Sequence, residues 1–217
     1  MEILEVVNEI EKHLLEDKKP SIYLNEAKNK GFFKIQGIEV LNELENIPQS
    51  PKHHPEGNVW NHTLLVVDEA AKYKDLSSDA RVFMWAALIH DIGKEKTTMN
   101  KEGRITAYDH DRVGAEMARR MLRKISEDIV FNEKVVNLVR YHMQYLYVSK
   151  RLPFSDIKAM SENSNPEDIA LLSLCDRFGR GKLSKSQKED MLSDINKFLK
   201  QVSSTSGEEY KLIEDLK

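Results

Sequence analysis

Apolar residues recur along this chain at intervals of three and four, the spacing that lines one face of an α-helix. Over residues 2–16 the stripe is Ile3, Val6, Val7, Ile10 and Leu14, and residues 20–31 and 37–46 predict two further short helices. The stretch PQSPKHHPEGN (48–58) breaks the pattern with three prolines and a glycine, so it is expected to be a loop. Asn58 is placed to cap a helix over 59–74. Ser77 or Ser78 is placed to cap the next helix, whose FMWAALI run is apolar enough to be central and which ends at Asp91-Ile92 before Gly93. Residues 93–110 lose the period and contain Asn100-Lys101-Glu102-Gly103, which predicts a loop or a small hairpin. Asp111 opens a helix to about 125 with Val113, Met117 and Met121 inward, and Asn132 opens another to about 147. Asn165-Pro166-Glu167-Asp168 combines a cap, a first-turn proline and acids at the positive end of the dipole, and starts a helix to about 178. A long helix over 186–202, a flexible link at 203–208 and a short terminal helix complete the expectation. The fold class is all-α, a helical bundle interrupted by one long loop or small hairpin. A long loop in a compact helical domain is often functional.

Composition narrows the classes. The chain has 217 residues, 40% apolar and 32% charged, an ordinary globular balance for one large domain with short helical additions. One cysteine excludes an intrachain disulfide and a zinc site built on a cysteine cluster, and fits a reducing cytoplasm. The acidic, amphipathic start lacks the features of a signal peptide, and no run approaches the roughly 18 apolar residues of a membrane span. A net charge of −3 with both signs interspersed lacks the footprint of a dedicated nucleic-acid binder. Arg119, Arg120, Arg123 and Lys124 read as the wet side of a helix.

The positions of the histidines carry the chemistry. His62 lies mid-helix, His90-Asp91 end the most apolar helix, and His110 closes the long loop. His142 shares the stripe of Val135, Leu138 and Val139, and Asp176 follows Ile169 and Leu172 on another inward face. Singly, each has a plainer role: a core histidine, a helix-end aspartate, a loop turn, a rim histidine, or a partner for Arg177 or Arg180. Jointly, two inward aspartates and four inward histidines would each cost several kcal/mol to desolvate unless they share a cation. Mixed imidazole and carboxylate donors suit Mn, Fe, Ni, Co or Zn, with Mg also compatible.

The order H…HD…H…H…D, centred on His90-Asp91-Ile92-Gly93-Lys94, resembles the HD-domain superfamily of metal-dependent phosphohydrolases. The segments IPQSPKHHPEGNVWNHT (47–63), HDIGKEKTT (90–98) and GRITAYDHDRVGAEMARRML (103–122) are most similar to the HD domain attached to bacterial tRNA nucleotidyltransferases (CCA-adding enzymes) and its stand-alone relatives. The resemblance covers roughly 32–180, with 1–31 as an N-terminal helical extension and 181–217 as C-terminal helices packing on the same domain. The nucleotidyltransferase domain that would come before it is not seen, so CCA addition is not expected. The alarmone hydrolases are cousins that follow HD with an acidic pair, where this chain has Ile92-Gly93-Lys94.

The resemblance implies that His62, His90, Asp91 and Asp176 hold one metal, and that His110 and His142 add a second with Asp91 as the bridge, so one or two ions are expected. It also implies hydrolysis of phosphomonoesters or cyclic phosphodiesters of nucleotides or RNA ends. A small-molecule nucleotidase and a non-catalytic metal-binding sensor or scaffold are the alternatives. Asp91 and Lys94 are the expected catalytic residues, and Arg177 and Arg180 the expected substrate-binding pair. His54 and Glu56 stand at the expected mouth, where contact with metal, water or substrate is one role and loop exposure the simpler one. His13 and His53 are expected on the surface and Cys175 in the core. The expected partner is a phosphorylated small molecule or nucleotide, an RNA terminus included, and no membrane.

Overall fold

The computed structural model describes residues 2–181 and 183–214 and is helical almost throughout. Helix α1 (Ile3–Glu16) and α2 (Pro20–Asn29) lead through a short 3-10 turn (Phe32–Lys34) to α3 (Val40–Glu43) and a second such turn (Leu44–Asn46). Then come α4 (Val59–Tyr73), α5 (Ala80–Ile89), α6 (Lys94–Thr97) and the strands β1 (Thr98–Lys101) and β2 (Arg104–Ala107). Helices α7 (His110–Ile125), α8 (Ile129–Tyr141), α9 (Gln144–Ser149), α10 (Ile157–Asn163), α11 (Pro166–Phe178) and α12 (Lys185–Ser206) complete the order. Among the described residues, no helix is long and apolar enough to cross a membrane.

The architecture is organised around α5. Every residue from Val82 to Ile89 is buried, as a helix apolar on all sides must be. Helices α1, α4, α8 and α11 pack around it. The buried face of α1 (Val6, Val7, Ile10, Leu14) joins the same hydrophobic cluster as α5 and α11. The long loop contains a two-stranded antiparallel hairpin with Thr98 opposite Ala107 and Lys101 opposite Arg104. Glu102 and Gly103 turn it at φ 51° and 81°, the doubly left-handed geometry that suits a two-residue hairpin.

Several boundaries differ from the pattern-based expectation. The cap of α5 is Asp79, which accepts from the Val82 amide. Ser78 instead donates its backbone N–H (2.9 Å) and its hydroxyl to buried Asp168 at the start of α11. Helix α8 begins at Ile129 on an Asp128 cap, three residues before Asn132. It stops at Tyr141, because the His142 carbonyl accepts from the Ser173 hydroxyl of α11 (3.2 Å) and a new helix, α9, starts at Gln144. The buried face of α7 runs through Gly114, Ala115, Ala118, Met121, Leu122 and Ile125, which leaves Val113 and Met117 half-buried. The expected helix at 37–46 is a single α-turn followed by a 3-10 turn. Helix α10 was not anticipated at all. Residues 203–206 continue α12, which ends at left-handed Gly207, instead of forming a link. After Gly207 no helix forms within the described residues; both backbone polar groups of Ile213 bond to the Asn196 side chain at 2.9 Å. Residues 215–217 of the expected terminal helix lie outside the described residues.

Candidate metal centre

Five elements meet beside the C-terminal end of α5. His62 comes from α4, His90 and Asp91 from the end of α5, and His110 from the first residue of α7; His142 follows the last residue of α8, and Asp176 lies near the end of α11. His62, His90, Asp91, His110 and His142 are all buried, as is most of the Asp176 side chain. Two close backbone approaches hold the elements together. A Cβ on Gly93 would meet the His110 carbonyl at 2.0 Å and the Gly114 nitrogen at 2.6 Å. A Cβ on Gly179 would lie 2.7 Å from the Val66 side chain, so α11 can carry Asp176 up to His62 on α4.

Asp91 is the hub. Its Oδ2 lies 3.3 Å from His90 Nε2 and 3.8 Å from His62 Nε2. Its Oδ1 lies 3.5 Å from His110 Nε2 and 3.8 Å from His142 Nε2. His62 Nε2 also lies 2.9 Å from Asp176 Oδ1. All four imidazoles therefore turn Nε2 inward, and each Nδ1 faces an acceptor. The acceptor is the carbonyl three residues back for His90 (Ala87, 2.9 Å), His110 (Ala107, 2.7 Å) and His142 (Val139, 2.6 Å). For His62 it is Glu56 Oε1, at 2.8 Å. The three carbonyls hold the proton on Nδ1 of His90, His110 and His142 and leave their Nε2 lone pairs for a metal.

Two donor groups thus share Asp91: His62, His90 and Asp91 on one side, and Asp91, His110 and His142 on the other, with donor atoms within 4.8 Å in each. Two observations show that the set fits a cation. His90 Nε2 is buried with no hydrogen-bond partner among the described residues. The His110 and His142 Nε2 atoms face one another at 3.2 Å. A divalent ion between such donors satisfies lone pairs that are costly to leave unpaired in a dry site.

The charges follow the same division. Burial alone would raise the Asp91 carboxyl, but Lys94 and His90 hold it well below the usual carboxylate range. Burial would likewise raise Asp176, and Arg180 with His62 lowers it instead. Burial opposes protonation of His62, but hydrogen bonding to Asp176 and Glu56 outweighs that and raises it. His110 is lowered by burial despite the pull of Asp91, and His142 by burial and then by His110 and His90.

The centre opens into a cleft of about 340 Å³ lined also by Gln49, His54, Lys94, Met143, Leu146 and Arg180. Lys94 Nζ lies 2.7 Å from Asp91 Oδ2 and donates to Gln49 Oε1 at 2.7 Å. Arg180 reaches Asp176 with Nη2 and, at 3.4 Å, with Nε. Arg177 is not brought into this cleft: its guanidinium stacks over the Tyr145 ring, 5.1 Å from the centroid. Arg180 lies just past the Gly179 cap of α11 and folds back onto Asp176, whereas Arg177, the residue after Asp176, turns away.

Asp111 and Gln49 lay outside the sequence-based set, and Glu56, expected at the exposed mouth, is a third contributor. The Glu56 side chain is only 5% exposed, because its loop folds back on itself through the pairing of Pro48 with Asn58. Its carboxylate is shared between His62 and His54, the latter at 2.9 Å; those bonds outweigh burial and lower its pKa to about 2. Asp111, beside His110, accepts from Arg140 at 2.7 Å and from the Tyr147 hydroxyl at 3.4 Å, pinning the first turn of α7. Gln49 anchors Lys94. An acid directly before a glycine in a proline-rich loop carries no periodic signal, so the sequence places Glu56 at the mouth without showing its burial. His53 is exposed, His13 is half-buried against Tyr23, and Cys175 is buried with its thiol pKa raised by that burial.

A family model described as the HD domain matches residues 59–181, more than half of the chain. Proteins named multifunctional CCA protein are similar over the same region. The one from Halorhodospira halophila is 36% identical over 106 residues, 49% of this chain and 24% of that protein. The one from Actinobacillus pleuropneumoniae serotype 5b is 25% identical over 183 residues, 82% of this chain and 44% of that protein. The one from Hahella chejuensis is 29% identical over 129 residues, 59% and 29% respectively. The chain spans less than half the length of each of these relatives.

Proposed function

Since this chain belongs to the HD-domain family, we propose that it is a metal-dependent phosphohydrolase acting on phosphomonoesters or cyclic phosphodiesters of nucleotides or RNA ends. The observation that carries the reading is the division of Asp91, one carboxylate oxygen facing His62 and His90 and the other facing His110 and His142. The two groups would hold one divalent ion each, with Asp91 as the shared ligand and Asp176 completing the His62 side. Mn, Fe, Ni, Co or Zn suit these donors, and Mg is compatible. Bound there, the ions would supply an activated water at neutral pH and a clamp on phosphoryl oxygens.

The remaining work falls to the protein. Lys94 and Arg180 both line the cleft, and both would take up charge on the phosphate oxygens, Arg180 by a forked pair of N–H donors. Gln49 and Asp176 pre-position those cations, so little reorganisation accompanies substrate binding. Ile105 and Ala107 of the hairpin, with Met143 and Leu146, form an apolar wall that limits water. The cleft is at the small end of ligand sites and suits one nucleotide unit.

A panel of 2′-, 3′- and 5′-mononucleotides, cyclic mononucleotides and RNA ends, run beside elemental analysis of the same sample, tests the reading. Hydrolysis that rises with bound metal is expected. Bound metal without turnover of any phosphoester would leave a sensing or scaffold role.

A further inference from the structure

Arg177 points away from the cleft into a second depression, and the character of that depression extends the substrate assignment above, on which it rests. The groove holds about 640 Å³ between α9, α11 and α12. Its charged walls are Lys150, Arg177, Lys197 and Lys200, against the single acid Asp194. This excess of cations stands out in a chain whose net charge is −3. Asp194 is engaged with Lys197 at 3.0 Å. Neither Lys150, Arg177 nor Lys200 is ion-paired among the described residues, and Arg177 Nε is buried without a hydrogen-bond partner there. The groove adjoins the metal cleft, with Leu146 lining both. Arg177 lies between Asp176 and Arg180 in sequence, so one helix end faces both spaces.

We propose that this groove takes the phosphodiesters of a polynucleotide whose terminal phosphate ester sits at the metal centre. A single phosphate calls for donors converging on a point. Here the cations come from three different elements around one groove, which suits successive charges on a chain. Lysines contribute mobile charge without reading sequence. Arg177, braced on Tyr145, offers a planar fork for one phosphate. The even charge pattern of the whole chain conceals this local excess because Lys150, Arg177 and the Lys197–Lys200 pair are far apart in sequence.

The test pairs binding with turnover in the metal-loaded protein. Fluorescein-labelled RNA and DNA octamers ending in a 3′-hydroxyl are titrated by anisotropy at several salt concentrations, against wild type and Lys150→Ala/Lys200→Ala. In the double variant, octamer affinity is expected to fall about tenfold and the log–log salt slope to drop by roughly 1.4, two phosphates' worth for a single strand. The KM for an octamer bearing a terminal phosphate should rise about tenfold relative to the KM for a mononucleotide. Binding of neither octamer, or an equal rise in both KM values, would overturn the groove assignment. Mononucleotide turnover with no lysine-dependent octamer binding sinks the groove alone. Lysine-dependent binding with no turnover of any phosphoester sinks the hydrolase reading alone.

Discussion

The two sides of the metal centre share Asp91 yet are built differently. On one side His62 is enclosed by carboxylates, with Asp176 at 2.9 Å, Glu56 at 2.8 Å and Asp91 at 3.8 Å, and its protonated form is favoured. On the other, His110 and His142 see one carboxylate at 3.5 and 3.8 Å, are aligned by their own backbone carbonyls, and favour the neutral form. The first side attracts cations of any kind, protons included. The second offers neutral lone pairs that a proton leaves readily. Charge attraction and ligand availability are thus divided between the halves, with one carboxylate coupling them.

The sharpest way to break the comparison is to remove what both sides share. Asp91→Ala is expected to lose metal from both and to lower kcat at least about a thousandfold, several kcal/mol of barrier. Elemental analysis and steady-state kinetics check it, and wild-type turnover in that variant would remove Asp91 from the centre. Next, His110→Ala/His142→Ala should reduce bound metal to the ion held by His62, His90 and Asp176, with kcat down about a hundredfold or more. Loss of all metal from this variant would mean that the halves do not bind independently.

A smaller effect belongs to Glu56→Gln, which leaves the donor set intact but removes the charge behind His62. Metal affinity or activity should fall about 10–100-fold, read by competition with a chelator. The same substitution should leave the His110 side unchanged.

The smallest effect is in metal-free protein, where the two sides pull stability in opposite directions with pH. His110 and His142 are lowered in the fold, so the unfolded chain binds more protons below the ordinary histidine value, and stability rises as pH climbs toward 6.5. His62 is raised, so its contribution is present below 6.5 and is lost as pH rises through its folded value. The stability of the chelated protein should therefore peak near pH 6.5, and His62→Asn should abolish the decline above it. Denaturant midpoints across pH 5.5–8.5 (chosen to span about one histidine range on each side) read both limbs.

How much of this was legible differs between the halves too. His90, Asp91, His142 and Asp176 could be read because they interrupt apolar stripes, and a polar residue on a buried face has few explanations. His62 could be read for the same reason. Glu56 could not, since its burial depends on a loop closing on itself and no stripe marks it. The expected start of α8 at Asn132 discounted Ile129 and Val130, which are helical but 75% and 66% exposed; their apolar character therefore says little about an inward face. Helix α10 was missed because it buries only Met160 and presents almost no period. The break between α8 and α9 is a tertiary effect, made by a serine from another helix. Spacing does not separate Arg177 from Arg180: the difference is tertiary, Arg180 lying past the end of α11 against Asp176 while Arg177 stacks on Tyr145.

The contact at Gly93 has a consequence for how this centre can vary. His110 is brought up to Asp91 by main chain lying against main chain, without side chains between, so the hub cannot be retuned gradually there. A single added methyl at residue 93 would act as a wedge between α6 and α7, forcing the His110–His142 side away while leaving His62 and His90 on their own helices. Surrounding residues can drift in size and charge, but the reach of His110 toward Asp91 is set by the lack of one carbon atom.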